Sequence, residues 1–342
     1  MQTEKGHNLI LLLVYIKHVI FQLTFFYFPI YLNDNGFSGF QIGILMSIFS
    51  ITGLIILFPA GILNDRFLSR SLLFISFLIG ALCYFGILVS NIFIVMAIIF
   101  FFLGVNNNLS TTSFNSLIYK TINNSKAKAL GNLTFARSLG SASGLLISSI
   151  ILLKLGFNLL FVIAALLSII LALFCLNLPK TKTKFVSILQ YKTNFLRKEV
   201  IFFAIIMFLN AIHWGAEHTV YSLFLKNNLN LGWLGMGIYM SIPIIILAIT
   251  AKKIGIKLSK KKDFNSILTF GLLFSGTGHI LMSITPLAIS FSFRILHEIG
   301  DAMIMVVMLV GIAKLLLSLE NTFPYFSMEM NKTTTEGSLK KA

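Results

Sequence analysis

The chain has 342 residues, 57% of them hydrophobic and only 11% charged, with a mean hydropathy of +0.90. Soluble domains are roughly 45–50% apolar and about 25% charged, so this composition excludes an ordinary soluble enzyme or binding module and implies a polytopic membrane protein. The net charge of +16 would suit nucleic acid, but its placement along the chain assigns it to another partner.

The apolar runs are about 20 residues long, as membrane-crossing helices require, and not the alternating segments of about ten that a barrel uses. Ten helical spans are predicted, roughly at 9–32, 41–63, 71–90, 92–113, 130–153, 157–178, 200–225, 232–250, 264–283 and 286–312. The first run has no small-residue cleavage site after it and reads as a retained helix. Short turns such as Ser90-Asn91 and Lys154-Leu155-Gly156 force antiparallel neighbours. The longest polar stretch divides the chain into a six-helix half (1–178), a cytoplasmic linker (179–199), a four-helix half (200–312) and a cytoplasmic tail (313–342). Cys83 and Cys175 both lie in apolar runs, so neither a disulfide framework nor a metal site is implied, and no cofactor is expected.

Lys and Arg set the orientation. With the N-terminus inside, the inner segments hold 22 of them and the outer loops only Lys154 and Lys226. Lys17, Arg137 and Arg294 lie within spans. This asymmetry predicts a protein of the cytoplasmic (inner) membrane with both termini in the cytoplasm. It also explains the basicity through the anionic inner leaflet, with no nucleic acid as partner.

An internal repeat is visible. Gly43-Ile44-Leu45-Met46-Ser47-Ile48 recurs as Gly237-Ile238-Tyr239-Met240-Ser241-Ile242, and Gly61-xxx-Asp65-Arg66 aligns in the same register with Gly255-xxx-Ser259-Lys260. After two residues of slippage, Gly104 aligns with Gly300. Halves of like orientation related by an axis along the membrane normal are a known transporter plan.

The tenth span holds the densest chemistry. In Phe291-Ser292-Phe293-Arg294-Ile295-Leu296-His297-Glu298-Ile299-Gly300-Asp301, Arg294, His297, Glu298 and Asp301 fall within about a quarter-turn arc of a helix. Arg294 with Glu298, and His297 with Asp301, are spaced for contact one turn apart. Each charge in a membrane helix costs about 2.5–3.5 kcal/mol on insertion scales. That face therefore turns to a water-filled path, as a proton relay or ligand site, or to an ion-pair knot between helices.

Gly61-Ile62-Leu63-Asn64-Asp65-Arg66-Phe67-Leu68-Ser69-Arg70 resembles the loop between the second and third spans of the major facilitator superfamily. Gly61, Leu63, Asp65, Arg66 and Arg70 match that family's pattern, while Leu68 and Ser69 replace its Gly and Arg. The resemblance, which covers residues 9 to about 312, implies the all-α fold of that family, six helices plus an incomplete set of four, and a gating role for this cytoplasmic loop. Physically, Gly61 permits close helix approach, and Asp65 with the basic residues can tie helix ends together. Gly131-Asn132-Leu133-Thr134-Phe135-Ala136-Arg137-Ser138-Leu139-Gly140-Ser141-Ala142-Ser143-Gly144 looks like the family's glycine-rich fifth span. Gly140 and Gly144 make a small-xxx-small seam, the proline of the antiporter version is absent, and Arg137 is placed to pair with Asp65.

In that family the first, fourth, seventh and tenth spans line the central cavity. The resemblance therefore places Lys17, His18, His213, Trp214 and Asn106 at a substrate cavity, with Gln22, Thr24 and Tyr221 nearby. Lys17 suits a carboxylate or phosphate, or serves as partner to Glu217 or Asp301. Glu217, Glu298 and Asp301 are candidate proton carriers, His213 and His297 can shuttle, and Arg294 serves as counter-ion. His279, isolated in the ninth span, is expected to be a packing residue. The fourth span lacks the arginine many proton-coupled members carry before a glycine; Asn106, Asn107 and Asn108 follow Gly104 instead. The family has twelve spans. Here the repeat would start an eleventh near residue 326, where no apolar run exists, so a complementing fragment carrying helices eleven and twelve is an expected partner unless the chain is a shortened product.

The resemblance implies a secondary transporter moving a small polar solute by alternating access. Proton-coupled symport of a sugar or nucleoside is expected first, because His and carboxylates in the tenth span resemble the oligosaccharide–proton symporter theme. Multidrug efflux by proton antiport and a non-transporting remnant are the alternatives. No P-loop, Gly-x-Ser-x-Gly or His-Glu-x-x-His is present, so ATP-driven transport and common hydrolysis have no motif and no enzyme activity is expected.

Overall fold

A computed structural model of the chain describes residues 2–121, 126–181, 198–260, 264–284 and 286–320. Among them all regular structure is helical. Helix α1 (Gln2–Thr24) runs through a 3-10 turn (Phe25–Tyr27) into α2 (Phe28–Asp34). The first span is thus not the single helix expected over 9–32. Pro29 has no N–H to bond the carbonyl four residues back, so the ladder tightens ahead of it, and a proline in the first turn of α2 is well tolerated. Helix α3 (Gly39–Arg66) opens on a capping box, in which Gln41 N donates to Ser38 Oγ (3.3 Å) and Ser38 N to Gln41 Oε1 (2.9 Å). Then come α4 (Ser69–Val89), α5 (Phe93–Thr121), α6 (Lys126–Lys154) and α7 (Gly156–Cys175). Gly156, at φ +76°, takes the left-handed backbone that lets the chain reverse in so few residues.

The seventh span is α8 (Lys198–Ala216), a π-helical turn (Glu217–Tyr221) and α9 (Ser222–Asn227). It is followed by α10 (Trp233–Lys260), α11 (Phe264–Leu281) and α12 (Leu287–Glu320). Among the described residues nine helical segments are long and apolar enough to cross a membrane; α12 is a further long helix, continuous through the charged residues 294–301. The fourth, eighth and tenth helices extend past their expected ends, to Thr121, Lys260 and Glu320. Hydropathy marks only the part of a helix suited to hydrocarbon, whereas the hydrogen-bonded ladder continues into polar residues. Most of the expected linker and the expected eleventh-span start near residue 326 lie outside the described residues.

Small residues decide the packing. α1 lies against α6, α3 against α5, and α4 against both α5 and α7; later in the chain α12 lies against α10 and α11. α6 and α10 join the two groups, with Ser241 Oγ donating to the Ala142 carbonyl at 2.9 Å. A Cβ on Gly140 or Gly144 would run into the backbone carbonyl of Tyr15 or Val19, so the backbones of α1 and α6 touch along this seam. Gly144→Val is expected to destabilise the protein by about 1–3 kcal/mol or more, read as a lower melting temperature and yield in detergent. An unchanged melting temperature would show that the seam opens freely.

Large side chains such as Phe28, Phe100, Phe114 and Phe161 fill the first group, while Leu82, Val89 and Phe40 are among the exposed apolar residues of the outer surface. That inside-out surface suits lipid contact. At the end of the bundle opposite Asp65 the first span meets the seventh and eighth: Lys226 Nζ of the seventh stands 2.9 Å from Asp34 Oδ1, and the ring of Trp233 of the eighth is 5.9 Å from that of Tyr27.

Candidate functional site

The ninth and tenth spans come close enough to share backbone contacts. A Cβ on Gly278 would meet the backbone of His297, and one on Gly300 would meet the backbone of Ser275 and Gly271. This approach carries Ser275 and His279 of α11 to the charged face of α12. The seventh span supplies His213, Trp214 and Glu217, the last at the start of the π turn. Such turns insert a residue into the helical register and recur at functional sites.

Glu217 stands at the centre of the resulting cluster. Its Oε2 accepts from Arg294 Nη1 at 2.6 Å, and its Oε1 lies 2.7 Å from His297 Nε2 and 3.3 Å from His279 Nδ1. Arg294 also donates through Nη2 to Glu298 Oε1, and its guanidinium lies 5.2 Å from the centre of the Tyr221 ring. Tyr221 continues the chain through hydroxyl contacts to Tyr239 (2.9 Å) and on to Ser290 (2.8 Å). Asp301 accepts from Ser275 Oγ (2.5 Å) and Trp214 Nε1 (3.0 Å), with His213 Nε2 at 3.4 Å and His297 Nε2 at 3.7 Å. His297 Nδ1 faces the Ser275 carbonyl at 2.9 Å. A carbonyl only accepts, so this nitrogen carries the hydrogen and Nε2 is left toward the carboxylates. Arg294, His297, Glu298 and Asp301 are each buried.

The one-turn spacings in the tenth span thus bring Arg294 to Glu298 and His297 to Asp301, and both pairs also engage the seventh span. His279 is not isolated packing: it is an edge of this cluster, with its ring 5.3 Å from those of both His213 and His297. Sequence reading missed it and Ser275 because each looks ordinary alone; the available signal was the small-residue stripe Gly271, Ser275 and Gly278 beside them.

The first-span residues lie elsewhere. Lys17 is buried and donates to Asn107 Oδ1 (2.8 Å) and Thr111 Oγ1 (3.0 Å) of α5, not to Glu217 or Asp301. The ring of His218 meets Phe25 edge-on at 5.0 Å, while His18 remains partly exposed. Arg137 donates to Asn115, a different partner from the expected Asp65. Asn106, expected at the cavity, contacts the third span: Ser76 Oγ donates to its carbonyl (2.8 Å) and to its Oδ1 (3.0 Å), and its side chain fills the space at Gly80. Three consecutive asparagines cannot share one face at 100° per residue. Asn106 meets the third span, Asn107 the first, and Asn108 the second at Gly53.

In the second–third loop, Asp65 Oδ1 lies 4.0 Å from Lys120 Nζ of the fourth span, and Arg70 Nη1 donates to the Leu176 carbonyl (3.2 Å) just past the sixth. The loop therefore joins four helix ends. Gly61 differs from expectation: nothing lies within 4 Å of where its Cβ would be, so close approach is not its role in this conformation.

Compared with known proteins, the chain matches the Major Facilitator Superfamily over residues 10–326. It is 40% identical over 58 residues to an uncharacterized MFS-type transporter, YfkF, of Bacillus subtilis (strain 168), a stretch covering 17% of this chain and only 15% of that protein. Its fold is similar to a crystal structure of a mutant of the nucleoside transporter NupG, with a TM-score of 0.74 at 17% identity, covering 90% of this chain and 83% of that one. It is also similar to a bacterial homologue of the human lysosomal transporter Spinster in an inward-facing, unoccupied conformation, with a TM-score of 0.72 at 15% identity, covering 90% and 74%.

Proposed function

The chain belongs to the Major Facilitator Superfamily, and on that premise we propose that it is a proton-coupled symporter of a small polar solute, of the sugar or nucleoside kind. The observation that carries this reading is the buried network of Glu217, Arg294, His297, Glu298 and Asp301, which links the seventh and tenth spans and reaches the ninth through Ser275 and His279. Buried charges at this density are expensive in a membrane and mark pathways for ions or ligands. Glu217, Glu298 and Asp301 take the proton in this reading, His213 and His297 pass it, and Arg294 holds the carboxylates in place. Lys17, with Asn107 and Thr111, contributes a cationic contact for the solute from the first span. Asp65, Arg66 and Arg70 gate the cytoplasmic end, supported by the ties from their loop to four helix ends. Both termini then face the cytoplasm of an inner-membrane protein.

A fragment with two further apolar helices belongs to the same proposal. Gly237 of the eighth span is seated against Ser149 and the Leu145 carbonyl of the fifth, whereas its repeat mate Gly43 has nothing within 4 Å. Beside Gly43 runs a groove of about 850 Å³, lined by Gly39, Ser47, Gly215 and Thr219. Small residues at that groove suit another helix in the role α6 has for α10.

The test is solute-driven pH change inside proteoliposomes holding the full chain. Entry of a sugar or nucleoside together with protons is expected. Solute flux without proton movement would remove the coupling, and exchange of a lipophilic drug against protons would favour efflux. No flux for any solute tried would favour a non-transporting remnant.

A further inference from the structure

The cluster contains more lone pairs than hydrogens to satisfy them. Glu217 Oε1 and His279 Nδ1 lie 3.3 Å apart, and neither has a hydrogen bond, although the Glu217 side chain is nine-tenths buried. His297 donates through Nδ1 to the Ser275 carbonyl, so in the neutral ring its Nε2 presents a lone pair, 2.7 Å from Glu217 Oε1 and 3.7 Å from Asp301 Oδ2. His213 Nε2 approaches the same Asp301 oxygen at 3.4 Å. These five ligand atoms form two triads that share His297: Glu217, His279 and His297, and His213, His297 and Asp301. Within each triad the atoms lie within 4.8 Å of one another.

We propose that this cluster binds one divalent transition-metal ion of the zinc class, held by Glu217 Oε1, His279 Nδ1, His297 Nε2 and Asp301 Oδ2, with His213 Nε2 set against the Asp301 carboxylate as an outer partner. Three physical facts support it. Ligand atoms about 2.0–2.1 Å from a tetrahedral ion stand about 3.3 Å apart, and the separations of 2.7, 3.3 and 3.7 Å bracket that value. The ligand types, imidazole with carboxylate, suit first-row divalent metals better than the all-oxygen sets of magnesium and calcium. The Nδ1–H of His297 on a backbone carbonyl, and the Asp301 carboxylate held by Ser275 and Trp214, are the outer hydrogen bonds that fix metal-binding side chains elsewhere.

Charge points the same way. One guanidinium, Arg294, faces three buried carboxylates, Glu217, Glu298 and Asp301, which leaves two negative charges with neutral rings. A divalent cation cancels both, and it meets several lone pairs at once where one proton meets a single pair. Glu217 can serve Arg294 and the ion together, because its two oxygens face different partners.

The inference deepens the proposed coupling site and shares its residues, but binding is read without any flux. A missing solute flux and a missing metal are therefore separate results. Titration calorimetry of tag-free, metal-stripped full chain in detergent with Zn²⁺ is expected to show about one ion per chain. Co²⁺ in its place should give the intense visible absorption of a tetrahedral site. His279→Gln and His213→Gln should each weaken binding at least about tenfold, whereas His7→Gln should not. These rings are chosen because their loss leaves the Arg294–Glu217 pair intact and the protein folded, which Glu217→Gln does not ensure. Binding of no Zn²⁺ by the parent chain, equal affinity in both histidine variants, or displacement by millimolar Mg²⁺ would each overturn the proposal.

Discussion

Arg294→Gln is expected to cost about 3–5 kcal/mol of stability, because removing one member of a buried ion pair strands the other. Here it strands two, since Arg294 holds both Glu217 and Glu298. The variant should show low membrane yield and an early melting transition in detergent, measured by fluorescence size-exclusion after stepwise heating. The tenth-span spacing alone suggests that Arg294→Gln with Glu298→Gln restores folding. The structure changes that expectation. The double variant leaves Glu217 without its cation, so recovery should be partial, and adding Glu217→Gln should complete it. Full recovery in the double variant would show that Glu217 does not depend on Arg294.

Glu217→Gln and Asp301→Asn are expected to abolish accumulation of solute against its gradient. Downhill exchange should persist in Asp301→Asn, because Asn keeps the size of the side chain and one oxygen that can accept from Trp214 Nε1, while its amide N–H can donate to the Ser275 hydroxyl. A loss of coupling by two or more orders of magnitude is the expected scale, in keeping with general acid–base groups elsewhere. Counterflow and proton-driven uptake in the same proteoliposomes separate the two activities. Unaltered proton-driven uptake in both variants would take this cluster out of the mechanism. The outcome for Glu217 needs a control for folding, since its loss leaves Arg294 with Glu298 alone.

The parts legible in the sequence were those that depend on composition and periodicity. Twenty-residue apolar runs mark helices because hydrocarbon cannot satisfy a backbone that is not internally hydrogen-bonded. The charges of residues 294–301 fall on one face because 3.6 residues make a turn, whatever the helix packs against. The Gly61–Arg70 stretch carried the family, and the family fixes the fold.

Which helix each polar residue meets was a different matter. Asn106, Asn107 and Asn108 are neighbours in the chain and serve three different helices. Lys17 takes neutral oxygens of the fourth span in place of an acid. His279 gains its place from glycines on two helices that let backbones touch. By itself the sequence determined the spans, the charged face of the tenth helix and the family. Only the tertiary structure decided that Glu217 stands at the centre of the cluster, because side chains from the seventh, ninth and tenth spans meet through close packing, which no local pattern encodes.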